Sequence, residues 1–275
     1  MAYEAEISRS NPSAFVVLLD QSSSMIDAFG GSSDSKAVEA TRIVNGFLME
    51  LAIKCNVGEG IHDYFEVAVI GYGGSTPRNA FAGMLGQSDI HPISQIGENP
   101  YRLDQTTKKE SDGAGGIVEV SFNLPIWVVP TATGTTPMRQ ALNYAGRILR
   151  DWVVSHPDSF PPTVLNVTDG EANDGNPAPA ADEIKALSTN DGNALVFNCH
   201  VSSNPSQKIP YPSTDEDLPD QYARQLFAMS SELPPKQLET AKGEGFAVQP
   251  GSRGFVLNAD VVDLISFIEI GTRLR

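Results

Sequence analysis

Ala14-Phe15-Val16-Val17-Leu18-Leu19-Asp20-Gln21-Ser22-Ser23-Ser24 changes character at one residue: six apolar side chains in a row end at an aspartate, and a polar loop follows. An uninterrupted apolar run of this length suits a central strand covered on both faces, as parallel sheets require. The polar loop runs to about Ser33. Ser35 to Cys55 then reads as a helix, with Ala37, Ala40, Val44, Phe47 and Leu51 three or four residues apart. Tyr64 to Gly71 alternates and closes on the turn Gly71-Tyr72-Gly73-Gly74, which makes a second strand.

Further along, Thr136-Pro137 opens a helix, threonine suiting the N-cap and proline the first helical position. Met138, Ala141 or Leu142, Ala145, Leu149 and Trp152 form its apolar stripe. Thr163 to Val167 is a buried strand that ends at Thr168-Asp169-Gly170. A short helix from about Pro179 to Leu187, a strand from Ala194 to Val201 and a helix from Gln221 to Met229 follow. Pro235 to Lys242 adds a helical turn or two, and Arg253 to Leu257 is a last strand. Val261, Leu264, Ile265 and Ile268 predict a closing amphipathic helix from Asp260 to about Gly271.

Residues 75–130 break the alternation. Val118 to Phe122 and Ile126 to Val129 read there as short strands, with Asp112-Gly113-Ala114-Gly115-Gly116 as a hairpin tip. The stretch has too little apolar content for a core of its own. The expectation is one domain over residues 1–275, with its core at about 13–270 and a hairpin inserted at 75–130. Its class is α/β: a doubly wound, mainly parallel central sheet flanked by helices on both faces.

Thirty-four acidic residues against nineteen basic ones give a formal charge of -15. No basic stripe is present, so nucleic acid is not an expected partner, and anionic lipid is repelled at long range. Met1 to Ser13 has early acids and no apolar stretch before a cleavage site, and no apolar run nears the roughly 20 residues that span a bilayer. A cytoplasmic protein is expected. Cys55 and Cys199 lie far apart beside apolar residues, which suits core thiols rather than a disulfide.

In open α/β sheets, ligands bind at the carboxyl ends of strands near the switch in strand order. Three polar clusters fall at such places: Asp20, Ser22 and Ser24; Thr135 and Thr136; and Asp169. All offer oxygen, and none offers imidazole or thiolate, which favours a hard cation such as Mg²⁺. Two carboxylates balance a divalent charge without saturating the coordination shell, leaving the ion electrophilic toward an external carboxylate. Asp169 to Gly175 imitates a calcium loop, but Ala180 stands where its twelfth-position glutamate belongs. Gly-x-Ser-x-Gly is missing, and His62, His91, His156 and His200 show no metal-ligand spacing. Two alternatives stay open. One is an Mg²⁺-dependent phosphoryl hydrolase using Asp20, although Ser22 stands where such enzymes want a second aspartate. The other is a structural subunit that leaves the metal site unused.

Together, Asp20-Gln21-Ser22-Ser23-Ser24-Met25, Gly134-Thr135-Thr136-Pro137 and Thr168-Asp169-Gly170-Glu171 resemble the metal-ion-dependent adhesion site of von Willebrand factor A (vWA) domains. The resemblance covers roughly residues 13 to 270. It implies a non-enzymatic module that captures an Asp or Glu of a partner protein through Mg²⁺, with Mn²⁺ or Ca²⁺ as substitutes. Ser22 and Ser24 would be direct hydroxyl ligands, and Thr136, Asp20 and Asp169 would act directly or through water. It also implies that metal binding can move the C-terminal helix, here Asp260 to about Gly271. Ser23 and Thr135 depart from the family pattern, each standing where a glycine is common. The form Asp-x-Ser-x-Ser-Met with Thr-Pro-Met is similar to intracellular bacterial members of the tellurite-resistance and stress-associated type, which implies a stress-response or signalling complex.

Overall fold

The computed structural model describes residues 3–29, 33–111, 116–202 and 208–258. The closing helix expected from Asp260 lies outside them. In chain order the first half comprises β1 (Ser13–Asp20), α1 (Lys36–Lys54), β2 (Phe65–Tyr72), β3 (Arg78–Asn79), β4 (His91–Pro92), α2 (Ile93–Glu98), β5 (Arg102–Ser111) and β6 (Ile117–Ile126). The second half comprises α3 (Met138–Ser155), β7 (Thr163–Thr168), α4 (Ala178–Lys185), β8 (Ser188–Thr189), β9 (Gly192–Asn193), β10 (Leu195–His200), β11 (Ile209–Pro210), α5 (Gln221–Met229), α6 (Pro235–Gly243) and β12 (Phe255–Leu257).

Every residue of β1 is buried, because the strand is paired on both edges and covered on both faces. β2 runs parallel to it on one side, from Ser13 opposite Phe65 to Asp20 opposite Tyr72. β7 runs parallel on the other, with Leu19 opposite Val167. The main sheet has the order β11-β12-β10-β7-β1-β2-β3, with β4 also on β2. β12, β10, β7, β1 and β2 are mutually parallel, and the antiparallel pairings are confined to the short strands β3, β4 and β11. This is the doubly wound, mainly parallel α/β architecture expected from the sequence. The chain leaves β1 toward β2 and later returns on the opposite side as β7, so strand order reverses at β1.

Alternate side chains of β1 feed two cores. Phe15, Val17 and Leu19 pack with Ala40, Val44, Phe47 and Leu51 of α1. Ala14, Val16 and Leu18 pack with Met138, Ala141, Leu142, Ala145 and Leu149 of α3. Burying such side chains on both faces stabilises the strand by about 1.5–3 kcal/mol each. Ser35 caps α1, its hydroxyl accepting from Val38 N at 3.3 Å. Cys55 and Cys199 are buried thiols not joined in a disulfide, as their apolar neighbours suggested. Among the described residues no helix is long and apolar enough to cross a membrane.

The inserted stretch differs in detail from its expected form. β5 and β6 pair over ten residues each, from Arg102 opposite Ile126 to Ser111 opposite Ile117. β6 therefore runs through Pro125, and the separate strand expected at Ile126 to Val129 does not form. Proline is tolerated there because each strand of this two-stranded ribbon has a partner on one edge only. The polar run Arg102 to Ser111 gave no apolar alternation to mark it as a strand. Beyond the ribbon, Asn45 of α1 holds the returning chain: its amide donates to Val128 O at 2.9 Å and accepts from Trp127 N at 2.9 Å and Val128 N at 3.1 Å.

A row of buried polar groups crosses the sheet on the α3 side. Tyr72 Oη donates to Asn166 Oδ1 at 2.7 Å, Asn166 Nδ2 to Asn198 Oδ1 at 3.0 Å, and Asn198 Nδ2 to Ser230 Oγ at 2.9 Å. The row ties β2, across β1, to β7, β10 and the residue that follows α5. Asn166→Ala should remove the Asn166 bonds of Tyr72 Oη and Asn198 Oδ1, destabilising the protein by about 2–4 kcal/mol in urea unfolding. A loss under half a kcal/mol would show that the row contributes no net stability.

Candidate functional site

The carboxyl ends of β1 and β7 are adjacent, so Asp20 and the Thr168-Asp169 pair meet where the strand order reverses. Asp20 and Ser22 are buried, and Ser24 lies at the first turn of a short 3-10 segment, Ser23–Ile26. The loop curls tightly. Ser22 N donates to Asp20 Oδ1 at 2.9 Å, and the Ser22 and Ser24 hydroxyls share a hydrogen bond of 3.0 Å. From β7, Thr168 Oγ1 donates to Asp20 Oδ2 at 2.6 Å.

The threonine loop is tied to both of the others. Ser23 N and Ser23 Oγ both donate to Gly134 O, at 3.1 and 2.8 Å. Thr136 N donates to Asn173 Oδ1 at 2.9 Å, and Asn173 N returns a bond to Thr136 O at 3.0 Å. The chain crossing is close. At Gly73 a side chain would run into the Gln21 carbonyl, and at Gly134, with φ of +73°, into the backbone of Gly74. Ser23 and Thr135, which stand where the resemblance puts glycine, each bond to the backbone of a facing loop: Ser23 Oγ donates to Gly134 O, and Thr135 Oγ1 donates to Gly74 O at 2.9 Å.

All five residues singled out in the sequence (Asp20, Ser22, Ser24, Thr136 and Asp169) therefore stand on three loops joined by hydrogen bonds. Thr136 corrects one expectation. It is buried, but its side chain makes no N-cap bond, and Pro137 precedes the first helical residue. The cap comes from the aspartate loop instead: Asp174 Oδ1 and Oδ2 accept from Arg139 N at 3.1 Å and Gln140 N at 2.9 Å. A carboxylate at a helix N-terminus is the favourable sign for the helix dipole. The Thr136 hydroxyl is thus left out of the cap.

Asp169 carries the feature that bears on ligand binding. Its side chain is 9% exposed; Oδ2 accepts from Lys36 Nζ at 3.2 Å, while Oδ1 is buried with no hydrogen-bond partner. Buried carboxylate oxygens are rarely left so. An orphaned hard oxygen, a second carboxylate and nearby hydroxyls form a donor set that fits an oxygen-coordinated divalent cation. Among the described residues no three His, Cys, Asp or Glu side chains gather into a metal cluster, so a cation here would depend on hydroxyls.

Burial, and then the charge of Asp169, push Asp20 up from the usual 3.8 to about 7, against the lowering effect of its bonds from Ser22 and Thr168. His200 is buried and held below its usual value by desolvation, so it is neutral near pH 7 and its Nε2 donates to Asp169 O at 2.8 Å. Lys36, Thr168, Asn173, Asp174 and His200 were not singled out as parts of the site. Thr168 stands in the string Thr168-Asp169-Gly170, and Asn173 and Asp174 in the run from Asp169 to Gly175, which is the signal that marks them.

No protein-family model matches the chain, and no curated protein matches it. Similar solved structures include the vWF domain of the type V pilus tip protein Mfa5 from Porphyromonas gingivalis, at 20% identity and a TM-score of 0.29 over 59% of this chain and 39% of that one. They also include the pilus adhesin SpaC from Lactobacillus rhamnosus GG, at 12% identity and a TM-score of 0.45 over 94% of this chain and 30% of that one. The chain spans well under half the length of either.

Two outcomes are expected. A carboxyl raised from 3.8 to about 7 keeps its proton in the folded protein where the unfolded chain has released it. Its contribution to stability is full below about pH 4 and is lost as the pH rises through about 7, on the order of 4 kcal/mol. Urea unfolding in EDTA across this range should show that loss in wild type and not in Asp20→Asn; equal slopes would contradict it. Asp174→Ala should cost about 1 kcal/mol by removing the α3 cap, read from the same unfolding curves.

Proposed function

We propose that the chain is a divalent-cation-dependent protein-binding module, in which the ion held at the ends of β1 and β7 captures an Asp or Glu side chain of a partner. The observation that carries this reading is the unpartnered, buried Asp169 Oδ1 beside a second buried carboxylate, on loops that also bring in Ser22, Ser24 and Thr136. Ser22, Ser24 and Thr136 would supply hydroxyl ligands, and Asp20 and Asp169 carboxylate oxygens, directly or through water. Mg²⁺ suits this set best, and Mn²⁺ or Ca²⁺ accept the same oxygens. When bound, the ion supplies Lewis acidity toward an incoming carboxylate.

The chain's own residues do the rest. The bonds from Ser22 N and Thr168 Oγ1 fix the Asp20 carboxylate, and the Ser23–Gly134 and Thr136–Asn173 bonds hold the loops at fixed separation. Such preorganisation lowers the ordering cost of binding. Neutral hydroxyls in place of further carboxylates keep the ion from being saturated with negative charge, which favours capture of an anion over bond cleavage.

Calorimetric titration of Mg²⁺ should give one saturable site in wild type. Asp20→Ala and Asp169→Ala should weaken it by more than the roughly 10–100-fold typical of losing an outer-shell partner. A short peptide carrying one glutamate between glycines should bind in Mg²⁺ and not in EDTA. Metal-independent peptide binding would overturn the reading, and Mg²⁺-dependent release of phosphate from p-nitrophenyl phosphate would replace it with a hydrolase.

A further inference from the structure

Lys36 is a cation in a place that disfavours one. It is the first residue of α1, at the positive end of the helix dipole, and its side chain is only 7% exposed. Two contacts offset these costs. Asp169 Oδ2 lies 3.2 Å from the ammonium, and Asp27 Oδ2, on a side chain 64% exposed, lies 3.7 Å away. The better-shielded partner is therefore the carboxylate whose other oxygen has no partner. The backbone fixes the lysine there, since Lys36 N donates to Asp27 O at 2.8 Å and Ser35 caps the helix directly before it.

The consequence is one of charge. With Asp20 ionised, Asp20 and Asp169 together would cancel a divalent cation, and the Lys36 ammonium would leave one positive charge over. We infer that Lys36 sets the charge of the loaded site, weakening the hold on the cation and strengthening the capture of an anionic partner. The inference rests on the cation-dependent reading above and deepens it, by naming the residue that selects for carboxylate. The chain as a whole carries a formal charge of -15, so an acidic partner is repelled at long range. A buried positive centre acts at short range, where water does not screen it.

The two effects have opposite signs, which a merely structural lysine would not produce. Lys36→Met keeps the length of the side chain and removes its charge; Lys36→Gln is a smaller polar control should the first variant unfold. Mg²⁺ affinity would be measured by calorimetry, and binding of the glutamate peptide at saturating Mg²⁺ by the same method. Either variant should bind Mg²⁺ at least about tenfold tighter and the peptide at least about tenfold weaker than wild type. Lys36→Arg should keep both affinities close to wild type. Changes of the same sign, or no change in either, would overturn the role of Lys36 while leaving the metal site standing. Failure of wild type to bind Mg²⁺, or of the Mg²⁺-loaded wild type to bind the peptide, would instead remove the parent reading and this inference with it.

Discussion

The parallel pairing of β1 with β7 is the constraint on which the rest depends. Each strand alone ends in a short polar loop of ordinary kind. Paired with Leu19 opposite Val167, they bring Asp20 against Thr168 and Asp169, two carboxylates whose chain positions are far apart. The sheet also shields them from water, so their repulsion is felt strongly. Asp20 answers by holding its proton to about pH 7, and Asp169 by drawing in Lys36. A metal reading and a charge-tuning reading both follow from this one forced proximity.

The surrounding structure supports that proximity rather than relieving it. Below the site, the row from Tyr72 through Asn166 and Asn198 to Ser230 fixes the lateral spacing of β2, β7, β10 and the end of α5. Around it, the backbone crossing at Gly73 and Gly134 leaves no room for the threonine loop to drift. His200, neutral and buried, holds the Asp169 carbonyl from the next strand over. Rigid support of this kind is what a preorganised binding centre needs.

Much of this was legible in the chain itself. Apolar runs ending in Asp20 and Thr168 mark buried parallel strands and give the doubly wound class, because such runs have few other uses in a chain with punctuating glycines and prolines. Asp20, Ser22 and Ser24 were legible because alternate oxygens on a strand-end loop are a local pattern. Lys36 was not, since it reaches the site from the start of α1 and carries no spacing signal relative to it. Thr136 shows the limit of local rules: threonine before proline reads as a cap, yet a carboxylate from another loop takes that role. β5 was missed because its side chains are mostly polar and it has one neighbouring strand, so burial leaves no alternation.

The capping of α3 by Asp174 bears on how this loop can vary. A helix that draws its first-turn acceptor from a neighbouring loop cannot have that loop replaced wholesale, because a graft would carry away part of the scaffold. Variation is left to side chains such as Glu171, because Asn173 and Asp174 anchor α3 and Asn176 accepts from Ala178 N at the start of α4. A library built on this chain would keep residues 173 and 174 constant and spread its diversity around them.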